Sequence, residues 1–263
     1  MPLTDETRPA RANVLGIGVS AIDLRDAVRR ADRLLQTNAK GYICVTGVHG
    51  VMEAQRDPSL RDILNRAFLC TPDGMPTVWV GRLQRHRRMR RVYGPDLMLA
   101  LCRLSMRRGY RHFFYGGKPG VAEKLKHKLQ GRFPGLHVVG SCTPPFHPLT
   151  DEEENQLVAL VAETKPDIIW VGLSTPKQER FMARMIERLD TSLMVGVGAA
   201  FDIHAGLLPD APAWIKSLGL QWLHRLLHDP RRLWRRYAAN NPSFLWDIFL
   251  QFTRLRKFEV TQS

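Results

Sequence analysis

The sequence predicts an α/β fold: an open, mainly parallel sheet with crossover helices, followed by a C-terminal helical appendage. Three observations predict it. Short apolar runs alternate with helix-period segments about six times, at spacings of roughly 25 to 40 residues, which is the rhythm of strand–helix–strand units. The loops that carry chemistry, at Thr46, Asp73, Gly116, Gln178 and Asp202, all follow strands. Right-handed crossovers put such loops on one edge of the sheet, where open α/β sheets bind ligands. Near Leu207 the texture changes to tryptophan and leucine interleaved with arginine. The core is therefore expected to be Rossmann-like, with one site.

The elements follow in order. Residues 1–12 are polar and read as a loose tail; Asn13–Ile17 reads as a first strand. Ser20-Ala21-Ile22-Asp23 reads as a capping-box variant, opening a helix to Leu35 with Leu24, Ala27, Val28, Ala31 and Leu34 at helical spacing. Tyr42–Val45 is strand-like and ends in Thr46-Gly47-Val48-His49; a helix covers Ser59–Ala67. A short apolar run, Ala67–Cys70, leads into Thr71-Pro72-Asp73-Gly74-Met75-Pro76. Pro72 fixes one dihedral and Gly74 can take a positive φ, so the chain turns there and presents the Asp73 carboxylate. Taken alone, such an Asp is a turn former.

Gly81–Arg91 holds six arginines and His86 with no acid, and reads as a solvated loop. Tyr93-Gly94-Pro95-Asp96 starts a helix to Arg108 that turns Leu97, Leu101 and Leu104 inward. His112–Tyr115 is a strand, followed by Gly116-Gly117-Lys118-Pro119-Gly120 and a helix over Val121–Arg132. A glycine-rich turn before a helix suits a phosphate, and it equally suits plain tight packing. Leu136–Val139 is another strand. Thr150 before Asp151-Glu152-Glu153-Glu154 starts a helix to Thr164. Asp167–Val171 is a buried strand ahead of the helix start Pro176-Lys177-Gln178-Glu179, and Leu193–Val197 is the last strand, ending in Gly198–Asp202.

Residues 13–206 thus form the expected catalytic core and residues 207–263 the appendage. Pro209-Asp210-Ala211-Pro212 is a linker-like break, Asp229-Pro230 starts a fresh helix, and Phe244–Phe252 is a third segment ending in Arg254–Lys257. Tryptophan and leucine set against arginine compose an interfacial amphipathic helix, drawn to an anionic membrane surface. A helix pair docked on its own sheet with its arginines in water has the same composition.

Length and charge narrow the function. The 263 residues suffice for one large α/β domain with an appendage, and the net charge of +14 implies a polyanionic partner. Cys44, Cys70, Cys102 and Cys142 form no C-x-x-C pair and read as reduced thiols of a cytosolic protein. There is no apolar signal-peptide region and no apolar run of ~18 residues, so membrane contact is expected to be peripheral.

Gly16-Ile17-Gly18-Val19-Ser20-Ala21 matches a dinucleotide fingerprint, but no acid follows the second strand until Glu53. A dinucleotide-dependent oxidoreductase is therefore a remote alternative. A nucleic-acid-binding basic α/β protein is the other, against which stand aromatics in helix-spaced apolar rows and the lack of a known nucleic-acid motif. Gly172-Leu173-Ser174-Thr175-Pro176 lacks the last glycine of a nucleophile elbow, and no Walker motif or H-E-x-x-H occurs. No D-x-D occurs either, so arginines and helix N-termini would have to neutralise any nucleotide diphosphate.

Six motifs in one order carry a resemblance: Thr71-Pro72-Asp73-Gly74-Met75, Arg91–Leu97, Phe114–Gly120, Pro176-Lys177-Gln178-Glu179, Gly198–Asp202 and Gln221–Leu226. Over roughly residues 13 to 245 the chain resembles the WecG/TagA/CpsF glycosyltransferases. The resemblance implies a metal-independent, inverting transferase with no cofactor. It would move a sugar, N-acetylmannosamine, its uronic acid or a hexose, from a UDP-sugar donor to a polyprenyl-diphosphate-linked saccharide acceptor. The setting would be the cytoplasmic face of the plasma membrane, in teichoic acid, capsule or exopolysaccharide biosynthesis.

By position, the resemblance makes Asp73 the catalytic base, with Gln178 and Arg91 beside it. Thr46, His49, Gly116, Gly117 and Lys118 become substrate-binding residues, as do Arg225, Arg232 and Arg235 of the appendage. Arg232 and Arg235 are three apart and share a helix face. Two positions depart from the family pattern: Val48 replaces the asparagine of a T-x-N motif, leaving its contact to His49 or to none, and Asp210 replaces an arginine before Ala211-Pro212. A homo-oligomer is compatible with the sequence.

Overall fold

The structure is a computed structural model, and it describes residues 9–37 and 39–260. It opens with a hairpin, β1 (Arg11–Val14) and β2 (Ile17–Ser20), which pair antiparallel and stand apart from the main sheet. Then come α1 (Leu24–Gln36), β3 (Gly41–Thr46), α2 (Val48–Arg56), α3 (Pro58–Arg66), β4 (Leu69–Pro72), α4 (Met75–Leu83) and α5 (Gly94–Arg108). The second half holds β5 (Arg111–Gly116), α6 (Val121–Arg132), β6 (His137–Cys142), α7 (Asp151–Thr164), β7 (Ile168–Gly172), α8 (Lys177–Met185), β8 (Leu193–Gly196) and α9 (Ala200–His204). Three helices close the chain: α10 (Ala213–Ser217), α11 (Gln221–His228) and α12 (Pro230–Phe252).

The main sheet has six parallel strands in the order β4-β3-β8-β7-β5-β6, so the expected open α/β architecture is present. Its strands alternate between two cores, as a period of two requires. Phe113, Tyr115, Ile169 and Val171 face one core, with α2, α3, α8 and the hairpin. Phe114, Ile168, Trp170 and Val195 face the other, with α1, α5, α6 and α9. The last strand in the sequence, β8, sits between β3 and β7. The carboxyl ends of β4, β3, β8 and β7 therefore lie side by side and face one opening.

Several local expectations are corrected. Only residues 1–8 of the expected tail lie outside the described residues on that side; Arg11 is already in β1 and Ala12 is buried. The first strand is two, because Leu15 and Gly16 both take positive φ, 54° and 81°, and close a tight hairpin. Leu15 tolerates this because its side chain is buried, its N–H donates to Gln251 Oε1 and its carbonyl accepts from Gln55 Nε2. A hairpin is not a strand leading to a helix, so the Gly16–Ala21 fingerprint has no nucleotide-binding geometry. Ser20 ends β2, and the N-cap of α1 is Asp23, which accepts from Asp26 N–H. Gly74 has φ −104° and caps α4, so the turn after Asp73 needs no left-handed residue.

The appendage is fastened to the core. α12 runs unbroken through Pro242, joining what the sequence reads as two segments. Leu233, Asn240 and Phe244 are its buried positions, and it packs on α2. At its far end Gln251 spans the hairpin: Nε2 donates to the Asn13 carbonyl and Oε1 accepts from Leu15 N–H, both at 2.9 Å. Asn13 Nδ2 in turn donates to the Phe258 carbonyl at 2.6 Å.

Candidate active site

A cleft of about 1220 Å³ opens over the carboxyl ends of the central strands. Asp73, Thr46, His49, Gly117, Lys118, Gln178 and Arg225 all line it. Residues spread over nearly two hundred positions of sequence thus share one cavity, because the parallel topology brings the loop after every strand to the same edge.

Asp73 follows β4 directly, and its N–H donates to the Thr46 carbonyl at 3.1 Å, which continues the β3–β4 ladder by one residue. The Gly94 N–H, at the start of α5, is directed at the carboxylate, and Oδ1 is buried without a hydrogen-bond partner among the described residues. Burial pushes the Asp73 pKa above the ordinary aspartate value, and the Arg91 and Arg225 guanidinium groups pull against that rise.

Arg91 does not line the cleft. It lies behind Asp73, with Nε donating to the Asp73 carbonyl, one terminal nitrogen donating to Gln221 Oε1, and the guanidinium 4.1 Å from the centre of the Tyr93 ring. It ties the loop bearing Asp73 to the first residue of α11. Tyr93 continues the tie: its hydroxyl donates to Asp210 Oδ1 at 3.0 Å, and Lys216 pairs with the same carboxylate. The aspartate at position 210 is therefore a brace between the core and α10.

His49 is set by its neighbours. Arg56 donates to Asn240 Oδ1 at 2.8 Å, which leaves the Asn240 amide nitrogen to donate to His49 Nδ1 at 3.1 Å. The ring proton therefore sits on Nε2, facing the Thr175 carbonyl. Burial first, then Arg236, lowers the His49 pKa to about 4, so the ring is neutral at neutral pH. Both ring nitrogens are engaged within the protein, and His49 braces α2 between α12 and the loop before α8.

The glycine-rich turn is shaped first by packing. Gly116 has φ 122°, and a Cβ there would lie 2.7 Å from the Gly172 backbone, so only glycine fits beside β7. Gly117 N–H donates to the Gly172 carbonyl at 3.1 Å. Of this turn, Gly117 and Lys118 reach the cleft and Gly116 lies beneath it.

The arginines of the last helices divide. Arg225, on α11, lines the cleft. Arg235 is exposed, its guanidinium 5.5 Å from the centre of the Trp234 ring, and is not among the lining residues. The side chain of Arg232 lies outside the described residues. Arg236 lines the cleft with its Nε buried and without a hydrogen-bond partner among the described residues, and sequence reasoning missed it. The signal was available: Arg236 falls three residues after Leu233 and four before Asn240, on the face that α12 buries. Among the described residues, no group of three or more His, Cys, Asp or Glu is placed to hold a metal ion.

Comparison with known proteins supplies the remaining finding. The family model described as "Glycosyl transferase WecG/TagA/CpsF family" matches residues 12–258. One relative, from Bacillus subtilis (strain 168), is named N-acetylglucosaminyldiphosphoundecaprenol N-acetyl-beta-D-mannosaminyltransferase. It is 27% identical over 186 residues, covering 71% of this chain and 70% of that protein. A second, of the same name from Bacillus spizizenii, is 28% identical over 205 residues, covering 78% and 77%.

Proposed function

Because the chain belongs to the WecG/TagA/CpsF glycosyltransferase family, we propose that it transfers an N-acetylmannosamine-type sugar from a UDP-sugar to a polyprenyl-diphosphate-linked saccharide. The observation that carries the reading is the convergence of one proton-accepting carboxylate, Asp73, and two guanidinium groups, Arg225 and Arg236, on one cleft. The acceptor follows from the relatives, whose name specifies an N-acetylglucosaminyl-diphosphoundecaprenol substrate.

In the proposed reaction the acceptor hydroxyl gives its proton to Asp73 and its oxygen attacks the anomeric carbon. UDP leaves from the opposite face, so one displacement inverts the configuration. The β-linkage in the relatives' name fits such a step on an α-linked UDP-sugar. As the glycosidic bond breaks, charge builds on the leaving diphosphate, and Arg225, Arg236, Lys118 and Lys177 are cations of the cleft wall that can receive it. Preorganised charge of this kind is usually the largest catalytic contribution.

Guanidinium groups are proposed to do here what a divalent metal does elsewhere, so transfer is expected to survive saturating EDTA. A loss of activity restored by added magnesium or manganese would show that a metal carries the diphosphate after all. The direct assay is a panel of UDP-sugars offered with a lipid-diphosphate-sugar acceptor, with the product identified by mass.

Contact with the membrane follows from the acceptor. No helix among the described residues is long and apolar enough to cross a bilayer. Trp214, Leu218, Leu227, Trp234, Trp246 and Phe249 are exposed on α10–α12 and their connections, among arginines. Aromatic and aliphatic groups beside cations favour an anionic interface. Flotation with liposomes should therefore rise with the anionic lipid fraction and fall when Trp214 and Trp246 are replaced by serine. Equal flotation with neutral lipid would remove the electrostatic half of the proposal.

A further inference from the structure

Glu179 is a carboxylate in the wall of the cleft that the chemistry above does not use. It is 1% exposed and follows Gln178 in the first turn of α8. Its Oε1 accepts two hydrogen bonds, from Thr175 Oγ1 at 2.9 Å and from Gln178 Nε2 at 3.0 Å. Its Oε2, and the Oε1 of Gln178, are both buried without a partner among the described residues. Burying a carboxylate is unfavourable, and burial does push its pKa up, against the bonds from Gln178 and Thr175. An apolar residue at this position would avoid that cost, so the acid calls for a reason.

The reason lies in the two ends of an amide. Gln178 has a donor end and an acceptor end, and an ionised carboxylate can engage only the donor end. With Nε2 held by Glu179, Oε1 is turned toward Gly198 on the cleft wall, 3.5 Å from where a Cβ on that residue would stand. The Thr175 hydroxyl in turn holds the Glu179 carboxylate, and the Thr175 carbonyl faces the ring of His49. The amide's orientation is thus set by a chain of hydrogen bonds and not by Gln178 itself.

We propose that Glu179 is a positioning residue, which holds the Gln178 carbonyl oxygen toward the cleft as an acceptor for a hydroxyl or N–H of the bound sugar nucleotide. The identity of the ligand rests on the glycosyltransferase reading; the orientation of the amide does not. Among the described residues nothing else satisfies this oxygen, and an unpaired buried acceptor gains most from a ligand that donates to it. A sugar nucleotide lacking the matching donor group is selected against by the same bond.

The test compares three variants of the full chain: Glu179→Gln, Gln178→Glu and the exchange Gln178→Glu/Glu179→Gln. A glutamine at 179 lets the neighbouring amide turn over, so Glu179→Gln should lower kcat/KM for the UDP-sugar at least about tenfold, the worth of one such bond. Gln178→Glu sets two carboxylates together and should lose as much. In the exchange variant the amide at 179 donates to both Thr175 and the new carboxylate, whose second oxygen again faces the cleft. That variant should recover activity above either single change, an outcome that general damage to the fold does not produce.

Wild-type kcat/KM in Glu179→Gln, or no recovery in the exchange, overturns the proposal. A second measurement needs neither substrate nor a variant that folds. The side-chain amide protons of Gln178 in the wild-type protein, read by NMR, should exchange with water far more slowly than those of an exposed glutamine such as Gln36. Exchange at the exposed rate overturns the positioning role outright. If instead the wild-type protein transfers sugar from no UDP donor, the substrate reading fails, and the amide protons still decide the role of Glu179.

Discussion

Replacing Asp73 by asparagine is expected to lower turnover at least about a hundredfold while the fold and the affinity for UDP stay near normal, since a positioned general base contributes ~10²–10⁴-fold. Asparagine keeps the shape of the side chain and can still meet the Gly94 N–H with its carbonyl oxygen. What it lacks is an atom that takes a proton. The main-chain bonds that seat this residue, to the Thr46 carbonyl and from Arg91, do not involve the carboxylate and survive the change. Turnover retained in this variant would dismiss Asp73 as the base.

The same residue fixes the pH profile. Because burial raises the Asp73 pKa, the acid limb of kcat/KM should lie above the ~3.9 of a free aspartate. Activity is full above the limb, where the carboxylate is ionised, and falls as pH drops through it. Arg225 opposes the rise, so removing that arginine should move the limb to still higher pH. A limb that stays in place without Arg225 would mean that the two groups do not sense each other.

Arg225→Ala is the second large effect, with kcat expected to fall ~10²–10³-fold, as for the loss of one preorganised donor to developing charge. Arg225 reaches the cleft from α11, and its helix begins at Gln221, which Arg91 holds. The charge is therefore placed by the same contact that seats the Asp73 loop. Arg235→Ala is the matched control: its side chain is exposed against Trp234 and should cost little. Single-turnover measurements with each variant separate the step in which the charge develops from product release. If Arg235→Ala proves as damaging as Arg225→Ala, the assignment of arginines to the cleft is wrong.

Much of this arrangement was legible in the sequence, for physical reasons. Strands β3, β4, β5, β7 and β8 are apolar runs that stop at glycine, proline or threonine, and burial on both faces makes such runs unmistakable. The start of α7 was readable because Thr150 and Glu153 cap each other reciprocally, a bond pattern written into their spacing. Other elements were hidden. α4 contains Pro76 and Gly81 around Thr77-Val78-Trp79-Val80, which locally favours a strand, and only packing makes it a helix. α2 follows β3 across the single residue Gly47, without a side-chain cap to announce it.

The site shows the same division. Asp73, Thr46 and Gln178 were readable because loop chemistry and strand order together put them at one edge, whereas Arg225, on a helix that follows no strand, was picked out only by the family resemblance. Arg236 was not singled out, because in a row of arginines only the phase of α12 against its support tells one from the next. Glu179 stood in one of the six motifs, but nothing in the sequence marked it as buried. A carboxylate in the first turn of a helix normally faces water and the helix dipole; here it is enclosed, and only coordinates reveal that.

The Gln251 bridge to Asn13 and Leu15 has a bearing on how the protein is made. A chain emerging from the ribosome presents its hairpin first and the helix that satisfies it last, more than two hundred residues later (|i−j| of 236 and 238). Closing so long a loop costs only slightly more than closing a shorter one, because the entropy grows with the logarithm of its length. Timing is the greater constraint. Arg225 and Arg236 are made after every strand of the sheet, so a nascent chain has its sheet and its aspartate before it has the helices that complete the cleft wall.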